Sequence, residues 1–279
     1  MSKVILIICD ALRDDVAARQ MGYLEHLVEA RLASRFTVIG ELPTMSRPMY
    51  ETIHTGVPSS QHGIVNNQTN RLSRMPNLFS LARAAGRTTA ASAYHWFSEL
   101  YIRAPYDIVN DREVDDESQN IQHGRFYLAD GTPDIEVFAA GVLLLRRHQP
   151  DYLLIHPAGM DFIGEAYGAD STQYRLNATL QDQIMAGFIP EALEAGYHIL
   201  VTGDHGMSDD QSHHGGTTPQ VRNVPLYLIS PDGNGAGNTE RSVSMLQIAP
   251  TVCHLLGIDI PATMKRPPIS ADASSSVWR

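Results

Sequence analysis

Six side chains that bind divalent metals well, Asp10, Asp161, Glu165, Asp204, His205 and His214, fall in separate short segments, most of them just past apolar runs. A carboxylate carried off the end of a buried strand is held rigidly. Several such ends converging at one rim of a sheet make a site for hard or borderline divalent ions. Six ligands are enough for two ions about 4 Å apart that share an ester oxygen, the arrangement of a two-metal hydrolase.

The segments carry different weight. Asp10 ends the run 3–9, KVILIIC, and is either a ligand or a helix-start residue that satisfies free amides; the later clusters favour the ligand. Asp204 and His205 are adjacent, and Gly206 permits the tight backbone that would let both face one ion. The sequence His213-His214-Gly215-Gly216 follows in the next loop, and spacing leaves open which histidine points inward. Asp161 precedes Glu165 by four residues, so a helical turn there puts both carboxylates on one face.

Such a site needs a nucleophile, either metal-bound water or a hydroxyl whose pKa the metal lowers. The stretch Leu42-Pro43-Thr44-Met45-Ser46-Arg47-Pro48 offers Thr44 between an apparent strand and a helix, where a phosphate oxyanion meets the positive helix end. Thr44 is also a plausible N-cap, and Ser46 competes for either role. Asn66 and Asn67, in a polar turn-rich stretch, could donate an amide to a developing oxyanion or serve as turn residues.

The elements that must hold these residues read as an α/β fold. Continuous apolar runs at 3–9, 151–156 and 197–202 have the signature of strands covered on both faces, with 88–93 and 224–230 as weaker members. Helix-compatible stretches lie between them at 22–32, 47–55, 77–85, 134–147 and 173–195, and another follows at 242–256. Residues 95–131, polar with scattered aromatics, are too long for an ordinary loop and predict a small cap over the rim. Residues 231–240 read as a flexible turn, and the tail from Arg266 as frayed. The whole predicts one catalytic domain over residues 1–279.

Composition sets limits. With 279 residues, 43% of them hydrophobic, the chain can bury a large core without disulfides. Its two cysteines, Cys9 and Cys253, lie in apolar surroundings and read as buried thiols. A formal charge of −10 argues against a nonspecific nucleic-acid surface, though bound ions would make the site locally positive and receptive to an anionic ester. The absence of a signal-peptide pattern or a long apolar span predicts a soluble, cytoplasmic protein that does not enter a membrane. Oligomeric state is not legible.

Taken together the segments resemble the alkaline phosphatase superfamily, most closely its nucleotide pyrophosphatase/phosphodiesterase-like branch. The resemblance rests on Asp10, the LPTxSxP region, TGVPSSQHGIVNN (55–67), Asp161, TGDHGM (202–207), HHGG (213–216) and IAPTVCHLLGI (248–258), in that order along nearly the whole chain. It implies a three-layer sandwich with a mostly parallel central sheet. It implies that Asp10, Thr44, Asp204 and His205 hold one metal and Asp161 and His214 the other. Thr44 would be the nucleophile, and Asn67 with the Thr44 backbone amide would hold the phosphoryl oxygens. The implied reaction is hydrolysis of a small-molecule phosphate ester, a diester or nucleotide pyrophosphate, through a phosphothreonine, with two zinc ions or sometimes manganese.

Two departures qualify it. The family pattern Asp-x-x-Gly-His reads Asp161-Phe-Ile-Gly-Glu165 here, so a carboxylate takes a histidine ligand's place, which makes the site harder and more suited to manganese. The chain also has little besides 95–131 with which to clasp a base or sugar. The sulfatase branch is excluded, because Thr44-Met45-Ser46-Arg47-Pro48 fails the Cys/Ser-x-Pro-x-Arg pattern. A phosphomonoesterase, a phosphotransferase or mutase of the same superfamily, and a non-catalytic metal-binding protein remain as alternatives.

Overall fold

In the computed structural model, which describes residues 2–209 and 213–270, the chain forms a nine-stranded mixed sheet with helices on both faces. The strands are β1 (Lys3–Ile8), β2 (Ala33–Ile39), β3 (Thr89–Tyr94), β4 (Glu113–Asp115), β5 (His123–Tyr127), β6 (Tyr152–Ile155), β7 (Tyr197–Thr202), β8 (Asn223–Ile229) and β9 (Gly237–Ser244). Their spatial order is β4-β5-β3-β6-β1-β7-β8-β2-β9. The helices are α1 (Asp14–Gln20), α2 (Gly22–Glu29), α3 (Ser46–Thr55), α4 (Ser59–His62), α5 (Leu78–Ala84), α6 (His95–Tyr101), α7 (Asp134–His148), α8 (Gly159–Tyr167), α9 (Thr172–Glu194), α10 (Pro219–Arg222) and α11 (Ile248–Leu256).

The three longest apolar runs occupy the centre of the sheet, as expected of strands covered on both faces. β1 lies parallel between β6 and β7, in register Leu6 with Leu154 and with Leu200. Its side chains alternate between two cores. Val4, Leu6 and Ile8 pack with residues of α3, α5, α6 and α11, while Ile5, Ile7 and Cys9 pack with α1, α2, α7 and α9. Neighbouring pairs are mostly parallel, but β8 runs antiparallel to both β7 and β2, and β4 antiparallel to β5. The expected three-layer α/β sandwich with a mostly parallel central sheet is thus observed. Cys9 and Cys253 are buried free thiols.

Three local expectations differ. Residues 95–131 do not stand over the rim as a separate cap. They supply α6 and then β4 and β5, which extend the sheet beyond β3, and Phe97, Leu100, Val114, Ile121 and Phe126 enter the main core. These apolar residues are scattered among many acids and amides, so no period stands out along the segment. The turn expected at 231–240 is shorter, because β9 begins at Gly237 and runs parallel to β2. The helix expected over 242–256 is confined to α11, since residues 242–244 end β9. The end of the tail, residues 271–279, lies outside the described residues. Among the described residues no helix is long and apolar enough to cross a membrane.

Candidate active site

The C-terminal ends of β1, β6 and β7 open onto one rim, and the loops leaving them carry the predicted ligands. Asp10 follows β1, Asp161 lies in the first turn of α8 after β6, and Asp204-His205 follow β7. The backbone that presents them is shaped for it. Ala11 takes φ 63, uncommon for a residue with a Cβ, and its N–H donates to Asp204 Oδ1 at 3.0 Å. At Gly206 a Cβ would stand 2.0 Å from the Gln220 carbonyl oxygen, so only glycine fits where the loop after β7 passes α10.

Two ligand clusters result. Asp10, Asp204 and His205 form one, and Asp161, His205 and His214 the other; in each the ligand atoms lie within 4.8 Å of one another. His205 Nε2 is 3.4 Å from Asp10 Oδ1 and 3.3 Å from Asp204 Oδ2. Its Nδ1 lies 2.9 Å from the Gly206 carbonyl, which makes Nδ1 the protonated nitrogen and leaves the Nε2 lone pair facing the carboxylates. His214 is arranged alike. Its Nδ1 meets the Thr44 carbonyl at 3.1 Å, and its Nε2 lies 3.7 Å from Asp161 Oδ1 and 3.8 Å from Glu165 Oε1. The two imidazoles stack with centroids 4.0 Å apart. His214, not the exposed His213, therefore points inward, and Glu165 shares the Asp161 side of the site one helical turn on, as the spacing predicted.

The electrostatics call for cations. Asp10 Oδ1, Asp161 Oδ1 and Asp204 Oδ2 are buried with no hydrogen-bond partner, a costly state for a carboxylate unless a cation meets it. Burial first, and then the neighbouring carboxylates, push the Asp161 and Asp204 carboxyls well above their usual range. Burial opposes the charge on Asp10 too, but the His156 imidazole 3.2 Å away, the His205 imidazole and the Tyr50 hydroxyl outweigh it and hold that carboxyl low. Burial and the His214 ring lower His205 to about 3, so at neutral pH it is the neutral imidazole that a metal takes. The donor set of carboxylates and imidazoles fits zinc or manganese.

The hydroxyl facing these ligands belongs to Ser46. Its Oγ lies 3.1 Å from His205 Nε2, at the first residue of α3 and on the wall of a small pocket of about 120 Å³. Thr44, expected there, is fully buried and turned away. Its hydroxyl donates to the Gly216 carbonyl at 2.9 Å and accepts from the Gly215 N–H at 3.0 Å, so it secures the loop that carries His214. Asn67 reaches the same pocket, and its Oδ1 accepts from the Arg47 N–H at 3.1 Å, which leaves the Nδ2 donor for a ligand oxygen.

Sequence reasoning missed two supports of Asp10. Tyr50 donates its hydroxyl to Asp10 Oδ2, and His156 Nε2 lies 3.2 Å from the same oxygen. Tyr50 sits four residues after Ser46, on the same face of α3, so helical spacing could have found it once Ser46 was placed. The rim of the pocket adds Tyr94, Trp96 and Asp130. Arg47 is not on it; its Nη2 pairs with Glu99 Oε2 at 2.7 Å, and its guanidinium lies 4.5 Å from the Trp96 ring centroid.

Comparison with known proteins gives the family and the fold. A sequence model of the type I phosphodiesterase / nucleotide pyrophosphatase family matches residues 4–223. The chain is 27% identical over 281 residues to the human GPI ethanolamine phosphate transferase 2 catalytic subunit, covering 93% of this chain and 27% of that protein. It is 30% identical over 176 residues to the 2,3-bisphosphoglycerate-independent phosphoglycerate mutase of Haloquadratum walsbyi, covering 60% of this chain and 34% of the mutase. It thus spans about a third or less of these relatives. Among solved structures, murine ectonucleotide pyrophosphatase/phosphodiesterase 5, an inactive variant in complex with AMP, superposes with a TM-score of 0.71 at 12% identity over 94% of this chain and 96% of that one. A phosphonate monoester hydrolase from Silicibacter pomeroyi gives 0.67 at 19% identity over 100% and 78%. These two likenesses concern the fold.

Proposed function

Because the chain belongs to the type I phosphodiesterase/nucleotide pyrophosphatase family, we propose that it is a metal-dependent phosphodiesterase working through a covalent phosphoserine at Ser46. The observation that carries this reading is the Ser46 hydroxyl, set at the start of α3 against His205 and beside two ligand clusters whose carboxylates each keep one buried oxygen without a hydrogen-bond partner. Asp10, Asp204 and His205 would hold one divalent ion and Asp161, His214 and Glu165 the other, zinc by donor type and manganese as the alternative. Bound there, such ions lower the pKa of a hydroxyl and neutralise charge on phosphoryl oxygens.

The chain's own residues supply the rest. Ser46 Oγ loses its proton and attacks phosphorus, and the ester P–O bond breaks as the leaving alkoxide takes up a proton. Asn67 Nδ2 and the Ser46 N–H at the start of α3 would face the phosphoryl oxygens, whose charge they stabilise. Water then attacks the phosphoserine, releasing the monoester and restoring Ser46. Tyr50 and His156 keep Asp10 oriented throughout.

A diester suits the pocket better than a monoester. The extra charge of a monoester wants a free cation, but Arg47 is neutralised by Glu99, and the wall carries the further carboxylates Asp130 and Glu165. Transfer is the second reading, favoured by the names of the two curated relatives: an alcohol in place of water would resolve the same phosphoserine.

The test is turnover of bis-p-nitrophenyl phosphate and of p-nitrophenyl phosphate after chelation and after return of zinc or manganese, with and without an alcohol acceptor. Diester turnover that needs metal and falls by at least about 10⁴-fold in Ser46→Ala is expected. A Ser46→Ala protein as active as the parent would sink the reading, and a product esterified to the added alcohol would turn it from hydrolysis to transfer.

A further inference from the structure

A third ligand cluster lies outside the active site, at the β4 edge of the sheet. Asp115 on β4 stands directly across from His123 on β5, and His148, the last residue of α7, comes up beside them. Three separate elements thus deliver one carboxylate and two imidazoles to one spot. The ligand atoms all lie within 4.8 Å of one another.

From this convergence we propose that Asp115, His123 and His148 form a further divalent-metal site for a borderline ion of the zinc type, clipping the edge strand β4 to the end of α7. Both imidazoles address the same carboxylate oxygen. His123 Nδ1 is 2.9 Å from Asp115 Oδ1, and His148 Nε2 is 3.7 Å from it. Ligands held at about 2.0–2.1 Å in a tetrahedron stand about 3.4 Å apart, so the observed separations straddle the value an ion needs.

The other carboxylate oxygen, Oδ2, accepts from Arg125 Nη2 at 2.8 Å. That bond fixes the carboxylate and aims Oδ1 at the histidines, the service an outer partner gives to a metal ligand. Arg125 also faces Glu113 at 3.9 Å, so its charge is shared between two acids and does not stand alone against an incoming cation. The two rings stack at 3.6 Å with an interplanar angle of 15°. An ion between them requires the rings to rotate apart, and both side chains are partly exposed, 13% for His123 and 25% for His148. Three protein ligands leave one position open to water.

The experiment is equilibrium dialysis of the full chain against zinc at a fixed free concentration, with zinc per chain read by elemental analysis. His123→Ala and His148→Ala are each expected to hold one zinc fewer than the parent. Asp204→Asn, which alters the active site, is expected to keep the ion lost from those two. Retention of the remaining zinc and of the parent circular dichroism shows that the histidine variants fold; His148→Gln, of similar size, serves if the alanine variant does not. Equal zinc content in the parent and in a folded His148 variant would overturn the proposal. This outcome is separable from any failure at Ser46, because no turnover is measured.

Discussion

At the scale of single residues, two neighbouring hydroxyls are placed differently, and the proposed chemistry depends on which of them faces the ligands. Thr44 and Ser46 both lie in the strand-to-helix passage, yet Ser46 faces His205 while Thr44 bonds to Gly215 and Gly216. Thr44→Ala should therefore act on stability and on the His214 loop. Two part-buried hydrogen bonds would be lost, costing about 1–3 kcal/mol together, to be read as a lower denaturation midpoint with activity reduced far less than in Ser46→Ala. Glu165 gives a second prediction. Glu165→His would exchange an anionic ligand for a neutral imidazole and should raise the ratio of zinc-supported to manganese-supported activity by roughly tenfold; an unchanged ratio would place Glu165 outside the coordination shell. The candidate ligands, which the structure brings together, were legible because acids and histidines clustered after apolar runs are conspicuous. The choice between Thr44 and Ser46 was not, since it depends on where α3 begins, and helix ends are poorly marked when the cap makes no side-chain bond, as at Met45.

At the scale of elements, the site depends on how closely α8 approaches the loop after β7. Gly164, between Asp161 and Glu165, packs so tightly that a Cβ there would come within 2.8 Å of Met207 Cε and 3.2 Å of the Tyr174 ring. Met207 lies two residues past His205, so this single contact joins the segments that carry both ligand clusters. Gly164→Ala must displace one of them, at a cost of about 1–3 kcal/mol in a packed core. The expected outcome is weaker zinc binding by calorimetry together with a lower melting temperature; unchanged zinc affinity would show that α8 is not held in place by this contact. The central strands β1, β6 and β7 could be read from sequence because burial on both faces leaves unbroken apolar runs. The direction of β8 could not, since parallel and antiparallel neighbours present the same residues to the core. β4 and β5, the edge strand and its neighbour, escaped because such short outer strands carry charge and little hydrophobic pattern.

At the scale of the whole molecule, the pH dependence of stability should reveal how much the fold relies on bound cations. Glu51, buried on α3 beneath the hydroxyls of Ser73 and Tyr101, is raised by burial from 4.5 to about 7. A carboxyl raised on folding binds more protons in the folded chain than in the unfolded one, so stability is full below pH 4.5 and declines as pH rises through about 7. This contribution is on the order of 3 kcal/mol and is independent of metal. Asp161 and Asp204 have the same sign in metal-free protein, with stability lost as pH climbs from 3.8 through their raised values. Asp10, lowered to about 2, has the opposite sign and acts only in strong acid. Divalent ions reverse the behaviour of Asp161 and Asp204, because they bind the deprotonated forms and bind the folded chain in preference to the unfolded one. At a free concentration about 100 times Kd each ion adds about 2.7 kcal/mol. The gap in melting temperature between zinc-loaded and chelated protein should therefore widen as pH rises from 3.8 through the raised values of Asp161 and Asp204, while Glu51, present in both states, cancels from the comparison. Differential scanning calorimetry across that range checks it, and a gap that stayed constant with pH would mean that Asp161 and Asp204 give up no protons to bound metal.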